Sequence, residues 1–332
     1  MSQTTSVSLP GVAKASILLL ALTSLAGWLV PVWPFELCSH FPLHQAGLLA
    51  VLGAFLGLRR EGRREWRWLA GALVMAAVHV AMVAPVWVER IPGDGPAASA
   101  ASGGSTFGVA SVNVYFKGER YSDMAAFLLG SKADVVVLVE ATPEWANQLA
   151  ILRTRWPHAV MEPRDGSHGI LVFSRFPILG HDIIDLSDGG RVTLKVVVQA
   201  QDGPVTIIAF HPPPPTTPHR ARRRNVEMEA VAELVRGIEG PRVLVGDFNC
   251  TPWSPQFRRL IRDSGLVDSR QGHGVQATWP SPLGRFGIPI DHALVSEDLF
   301  VVDRSVGPQL GSDHRAIIVS LKKVSDTFFG RP

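Results

Sequence analysis

The sequence predicts an α/β protein of two packed β-sheets flanked by helices, preceded by three membrane-spanning helices. Three observations predict it. Mean hydropathy reaches +0.18 although only 46% of the 332 residues are hydrophobic, because the excess lies almost entirely before Pro92. From Phe107 onward, short β-branched runs alternate with stretches of helical character. Polar residues of chemically useful kinds stand at the ends of those runs.

The N-terminal elements come first. Ala15 to Trp33, Phe41 to Leu58 and Trp66 to Val88 are apolar and essentially uncharged. Each has about the ~20 residues that span a hydrocarbon core. None carries a polar face at helical spacing, as a soluble helix would. The first run has only Lys14 in its flank and no small-residue cleavage site before Pro31, so it reads as an uncleaved anchor rather than a signal peptide. Five arginines lie between Arg59 and Arg67, whereas the preceding loop has no Lys or Arg. The positive-inside rule places that arginine loop in the cytoplasm. The N-terminus is then cytoplasmic, and the C-terminal domain of this integral inner- or plasma-membrane protein is extracytoplasmic. Residues 92–106, rich in Gly, Ala, Ser and Pro, read as a flexible linker. The domain plan is a three-span anchor over 1–91, this linker, and a catalytic domain over 107–323.

Charge follows the same division. Residues 1–92 hold seven Lys/Arg and four Asp/Glu, and the remainder holds 25 of each. The basic balance of +3 therefore belongs to the anchor and is no argument for a nucleic-acid-binding domain. Two cysteines, Cys38 and Cys250, are too few for a disulfide framework and read as two buried thiols not joined to each other.

In the second part, strands are expected at 108–115, 134–139, 169–173, 192–200, 205–210, 242–245, 290–295 and 316–321. Helices are expected at 122–130, 143–152, 220–238 and 255–264. The tetraproline Pro212–Pro215 must be extended and stiff. Asn113, Glu140, His211, Asp247, Asn249, Asp291 and the Ser312-Asp313-His314 triplet lie at or beyond strand ends, where an α/β domain presents its site. Singly each is an ordinary turn or packing residue; together they form a constellation.

Gly246-Asp247-Phe248-Asn249, the downstream Ser312-Asp313-His314, Ile290-Asp291-His292, and the early Asn113 and Glu140 occur in an order that resembles the endonuclease/exonuclease/phosphatase superfamily. That superfamily includes pancreatic-type deoxyribonucleases, apurinic endonucleases, inositol-polyphosphate phosphatases and neutral sphingomyelinases. Residues 169–178 and Thr278-Trp279-Pro280 share the likeness, which covers about Phe107 to Leu321. It implies a four-layer α/β/β/α sandwich and divalent-metal-dependent hydrolysis of phosphoesters, with phosphodiesters foremost. The resemblance makes Glu140, Asn113 and Asp313 metal ligands, and oxygen donors of this kind suit Mg²⁺ or Mn²⁺. It makes Asp247 and Asn249 the pair that orients the attacking water, provided the backbone between them is extended. His314 resembles the general base, Asp291 its orienting partner, and His211 the histidine on the phosphate side. His292 is structural, and His168 and Arg175 carry no assigned role.

Arg220, Arg222, Arg223 and Arg224 open the helix after the tetraproline. Two readings stay open: a grip on substrate through Arg222 and Arg223, or a solvated face paired with Glu227 and Glu229. The substrate is a lipid headgroup, another phosphoester or nucleic acid, and the membrane is the other partner. The competing reading is a non-catalytic phosphate-ligand-binding protein on the same fold; a degraded site would lack Glu140, Asp247 or His314, and all three are present. A transporter finds no support, since the spans contain no acid or lysine and His79 alone is a thin signal.

Overall fold

A computed structural model describes residues 8–30, 32–59, 65–88, 105–187 and 189–324. The chain forms two compact units, an N-terminal one ending at Pro85 and a larger one made of nearly all the rest.

The N-terminal unit is helical: α1 (Leu9–Leu29), the short α2 (Phe35–Cys38), α3 (Pro42–Leu58) and α4 (Glu65–Val83). Ser8 caps α1 and Pro sits in its first turn. Two helices are long and apolar enough to cross a membrane: α1, with 21 residues, and α4 with the following 3₁₀ turn to Val86, with 22. The middle one differs from expectation. It has 17 residues, about 26 Å of helix against a core of roughly 30 Å. Ala13, Ile17, Leu49, Leu56 and Ala72 pack between α1, α3 and α4. His79 is buried there, its ring nitrogens reaching Met75 O at 2.6 Å, Ser24 Oγ at 3.0 Å and Gln45 Oε1 at 3.1 Å, so it ties the three helices together. Arg60, Arg63, Arg64 and nearly all of the expected linker lie outside the described residues.

The larger unit is an α/β/β/α sandwich of two six-stranded sheets. Its strands are β1 (Thr106–Asn113), β2 (Val135–Val139), β3 (His158–Glu162), β4 (Ile170–Ser174), β5 (Ile178–Ile184), β6 (Thr193–Ala200), β7 (Gly203–Ala209), β8 (Arg242–Asp247), β9 (Val267–Asp268), β10 (Asp291–Val295), β11 (Leu299–Val306) and β12 (Ile317–Lys323). One sheet runs β11-β12-β1-β2-β4-β3 and the other β5-β6-β7-β8-β10-β9. Each sheet contains one parallel pair at its centre, β1–β2 and β7–β8, and is otherwise antiparallel.

The central strands read as continuous apolar runs because both of their faces are covered. Val135, Val137 and Val139 point into the core between the sheets with Val243, Val245, Ala293 and Val295. Their neighbours Val136 and Leu138 point the other way, onto α5 (Tyr121–Gly130) and α6 (Pro143–Gln148), where Met124, Leu128 and Trp145 meet them. On the second sheet, Leu244 and Leu294 face α7 (Pro218–Arg236) and α8 (Pro255–Ser264) through Met228, Val231, Phe257 and Leu260. The expected four-layer architecture is the one observed, with four further strands. Neither cysteine forms a disulfide, and Cys250 is buried, but Cys38 is partly exposed because it ends the four-residue α2.

Candidate active site

Parallel pairing sets the site. β1 and β2 run side by side in one sheet and β7 and β8 in the other, so Asn113, Glu140, His211 and Asp247 leave the ends of neighbouring strands. β10 pairs antiparallel to β8 with Asp291 opposite Asp247, which brings a second carboxylate to the same edge. The backbone between β7 and β8 is close: a Cβ on Gly246, whose φ is 146°, would overlap Phe210 O. Glycine is therefore required in the Gly-Asp-Phe-Asn turn.

Asn113 is the hub. Its side-chain Nδ2 donates to Glu140 Oε1 at 3.1 Å and to Asp247 Oδ2 at 3.0 Å, while its Oδ1 accepts from Tyr115 N at 3.0 Å. Glu140 sits at φ 59°, a region costly for a non-glycine residue, and accepts from Phe116 N at 3.3 Å. Burial alone would raise its pKa. Hydrogen bonding and charge from His211, then Asn113 and the Phe116 N–H, overcome this and hold it at about 2. His211 Nδ1 donates to Asp247 O at 3.0 Å, and its Nε2 faces Glu140 Oε1 at 3.4 Å.

A second cluster shares Asp247. His314 Nδ1 lies 2.9 Å from Asp291 Oδ2, and its Nε2 lies 3.6 Å from Asp247 Oδ2. All three are essentially inaccessible to solvent. Burial would push the proton off His314. The charges of Asp291 and Asp247 and the Asp291 hydrogen bond outweigh it and raise the imidazole to about 10. Burial raises the carboxyl of Asp247, and the charge of Asp291 adds to that. His314 is therefore held as an imidazolium at neutral pH in this state.

Loops hold these groups from behind. Ser312 Oγ donates to Asn113 O at 2.6 Å and accepts from His314 N at 3.0 Å, fastening the Ser-Asp-His turn to the end of β1. Thr278 Oγ1 accepts from the backbone N–H of Ile290 and Asp291, and Trp279 Nε1 donates to Asp313 Oδ2 at 3.2 Å. The tetraproline holds a site residue in place, since Asn249 Nδ2 donates to Pro212 O at 3.0 Å.

Most of the expected site residues converge. Glu140, His211 and Asp247 present ligand atoms within 4.8 Å of one another, as do Asp247, Asp291 and His314. Asp313 is in neither group; its Oδ1 is buried without a partner. Asn249 departs from the assumed extended geometry. Its φ is 52°, its N–H turns back to Asp247 Oδ1 at 2.9 Å, and its side chain is occupied by Pro212. His292 is wholly buried between Phe248 and Phe257, donating from Nε2 to Cys250 O and accepting at Nδ1 from Arg270. Burial, then Arg270, keeps its ring neutral, consistent with a packing role. Arg222 is exposed, and Arg223 Nη2 lies 3.8 Å from Glu227 Oε1. Glu229 pairs instead with Arg259 of α8 at 2.8 Å.

Sequence reading missed Arg191. It is buried at the start of β6, donating from Nη1 to Ser167 O and His211 O and from Nη2 to Ser167 Oγ, at 3.1–3.2 Å. A lone arginine after a glycine pair gives no motif to find.

The donor chemistry fits a hard divalent cation. Two carboxylates and an amide meet at one point, and the buried oxygens Asp291 Oδ1 and Asp313 Oδ1 have no hydrogen-bond partner among the described residues.

Comparison with known proteins agrees with this geometry. The family model described as Endonuclease/Exonuclease/phosphatase family matches residues 110–314. Among solved structures, an endonuclease/exonuclease/phosphatase from Beutenbergia cavernae DSM 12333 is 20% identical, with TM-score 0.52, over 66% of this chain and 72% of that one. Sphingomyelinase C from Streptomyces griseocarneus is 15% identical, with TM-score 0.51, over 65% and 99%. D. rerio TDP2 complexed with single strand DNA product is 15% identical, with TM-score 0.54, over 65% and 99%. No curated protein sequence matches significantly.

Proposed function

The chain belongs to the endonuclease/exonuclease/phosphatase family, and from that premise we propose that it is a divalent-metal-dependent phosphodiester hydrolase anchored in a membrane. The observation that carries this reading is the convergence of Asn113, Glu140, His211, Asp247, Asp291 and His314 at one sandwich edge.

Glu140, with Asp247 and the Asn113 amide, would hold Mg²⁺ or Mn²⁺. Asn113 would present its oxygen after a half-turn about Cβ–Cγ, which gives up its bond to Tyr115 N. The cation supplies charge neutralisation and polarises the phosphoryl group. The protein's own groups do the rest. His314 would take the proton of the attacking water, Asp247 would orient that water, and Asp291 fixes the ring so that Nε2 points towards Asp247. His314 can receive that proton only as a neutral ring, so its pKa has to fall from about 10 towards the working pH; positive charge beside Asp247 acts in that direction. His211, fixed by Asp247 O through Nδ1, keeps Nε2 for the phosphate or the leaving group. Asp313 closes the site from the Ser-Asp-His turn.

The N-terminal helices support a membrane anchor by length and composition. Three spans with the arginine loop inside would set the catalytic domain on the extracytoplasmic face. Similar structures include a sphingomyelinase and a protein bound to a DNA product, so lipid headgroups and nucleic acid both belong in a substrate panel. The test is hydrolysis by the full-length chain in detergent of sphingomyelin, glycerophospholipids, single- and double-stranded DNA, RNA and a chromogenic diester, with Mg²⁺, Mn²⁺ or EDTA. Turnover that needs metal and disappears in Asp247→Ala and His314→Ala supports the enzyme, and the best substrate identifies the branch. Folded, metal-replete protein that hydrolyses none of them would favour a binding protein on the same fold.

A further inference from the structure

Beside His211 lies a basic cluster that the hydrolytic chemistry does not use. At its centre is Arg191, buried and immobilised by three hydrogen bonds, one of them to the carbonyl of His211 itself. Its position comes from the turn before it. The Asp185 carboxylate accepts from the backbone N–H groups of Ser187, Gly189 and Gly190, and the chain runs from Gly190 directly into Arg191. Arg223 of α7 lies flat on this turn, so closely that a Cβ on Gly189 would overlap its guanidinium. Its Nη2 has no hydrogen-bond partner among the described residues. Glu227, 3.8 Å away, already accepts from Ser187 Oγ at 2.7 Å. His168 follows Ser167, the residue that Arg191 holds, and is exposed. His168 feels Arg191, His211, Arg223 and Arg220 together; burial, then the charge of Arg191, lowers its pKa.

The cations are arranged against ordinary helix electrostatics. α7 begins Pro218-His219-Arg220-Ala221-Arg222-Arg223-Arg224 with no acid in its first turn. Positive side chains at a helix N-terminus oppose the dipole. A fixed guanidinium, a second one with an unused donor and a neutral imidazole held among cations form a cluster that gains by receiving an anion.

Resting on the phosphodiesterase reading above, we propose that Arg191, His168 and Arg223 form a subsite for a second phosphoryl group, so that the preferred substrate carries another phosphate next to the scissile one. Arg191 is the preorganised centre, Arg223 supplies the forked contact, and His168 and Arg220 flank them. Arg222, exposed on the same helix, is outside it. The source of that phosphate, a lipid headgroup or a nucleotide, is for the experiment to separate.

The full-length chain in detergent is assayed with Mg²⁺ on two substrate pairs: dithymidine monophosphate with and without a 5′-phosphate, and phosphatidylinositol 4-phosphate against phosphatidylinositol. The expected result is at least a tenfold higher kcat/KM for the extra phosphate in one pair, expressed in KM, with the ratio falling towards one in Arg223→Gln and partly restored in Arg223→Lys. The pair that shows the preference identifies the source. Ratios near one in both pairs, or a preference unchanged in Arg223→Gln and His168→Gln, would overturn the subsite. A second measurement stands apart from catalysis: inorganic phosphate is titrated into metal-free protein carrying ¹³C-labelled histidine. A His168 resonance that shifts in the native chain and not in Arg223→Gln upholds the subsite even if no substrate turns over, in which case the hydrolase reading alone falls. A His168 resonance indifferent to phosphate overturns it.

Discussion

At the scale of single residues, His314 carries the most information. Its pKa of about 10 is set by Asp291 and Asp247 against the cost of burial, so its titration reports the charge of the whole cluster. In the metal-free protein, ¹³C resonances of His314 should titrate near pH 10, and Mg²⁺ should move that midpoint down. An unmoved midpoint would separate the cation from Asp247. The stability consequence has a definite sign. A ring whose folded pKa exceeds the ordinary 6.5 stabilises fully below that value, and the contribution is lost as pH rises towards about 10. Chemical denaturation of metal-free protein between pH 7 and 10 should therefore show falling stability, and His314→Gln should flatten the slope. Glu140 behaves oppositely: held at about 2, it stabilises above its ordinary 4.5, and the contribution is lost as pH falls through about 2. Asp291→Asn should lower kcat by about 10²–10⁴, the usual scale for a lost acid–base element, with KM little changed; a loss under threefold would remove Asp291 from the chemistry. Most of these residues are legible in sequence because each ends an apolar run. Arg191 is not, because what it does is hold backbone, and a single hydrogen-bonding side chain leaves no periodic trace.

At the scale of elements, the four strands absent from the sequence reading are β3, β5, β9 and β11, and they are the four edges of the two sheets. The reason is physical. Central strands are covered on both faces and write themselves as unbroken apolar runs, as in Val135–Val139, buried at every position. β5, by contrast, is exposed at all five of its inner positions, and β9 has two residues. An edge strand forms because a neighbour offers hydrogen-bonding groups, which composition does not record. The helices were legible to within a few residues, since α7 has a Thr217 cap followed by Pro218 and α8 begins at Pro255. The extended geometry expected between Asp247 and Asn249 failed because the strand ends at Asp247 and a left-handed residue follows. A tight joint between elements is Gly246 against Phe210 O, where β7 and β8 run parallel. Gly246→Ala should cost at least about 2 kcal/mol, through both steric overlap and positive φ. Urea denaturation measures it, and a cost under about 0.5 kcal/mol would show that the turn relaxes freely.

At the scale of the whole molecule, the chain joins two units with different solvents in their sequences: apolar helices, two of them long enough to cross a membrane, and a sandwich whose cores are sealed on both sides. The sandwich architecture was legible because strands and helices alternate; the number of spans was less so, because an apolar run of about 18 residues yields a 17-residue helix. Extracytoplasmic orientation rests on the arginines around residues 59–67. A cysteine introduced as Ser102→Cys, with Cys38 and Cys250 replaced, should react with a membrane-impermeant maleimide in intact cells; reaction only after permeabilisation would invert the topology. The proposed chemistry depends on a cation bound at Glu140 and Asp247 to drive phosphoester hydrolysis. The most direct test is turnover of a phosphodiester by EDTA-stripped full-length protein, before and after Mg²⁺ is restored, in the native chain and in Glu140→Gln. A metal-dependent hydrolase should show no activity after stripping, recovery with Mg²⁺, and at least about a hundredfold loss in Glu140→Gln, on the ~2.7 kcal/mol scale of one lost electrostatic element. Activity that survives stripping, or recovers equally in Glu140→Gln, would contradict that chemistry.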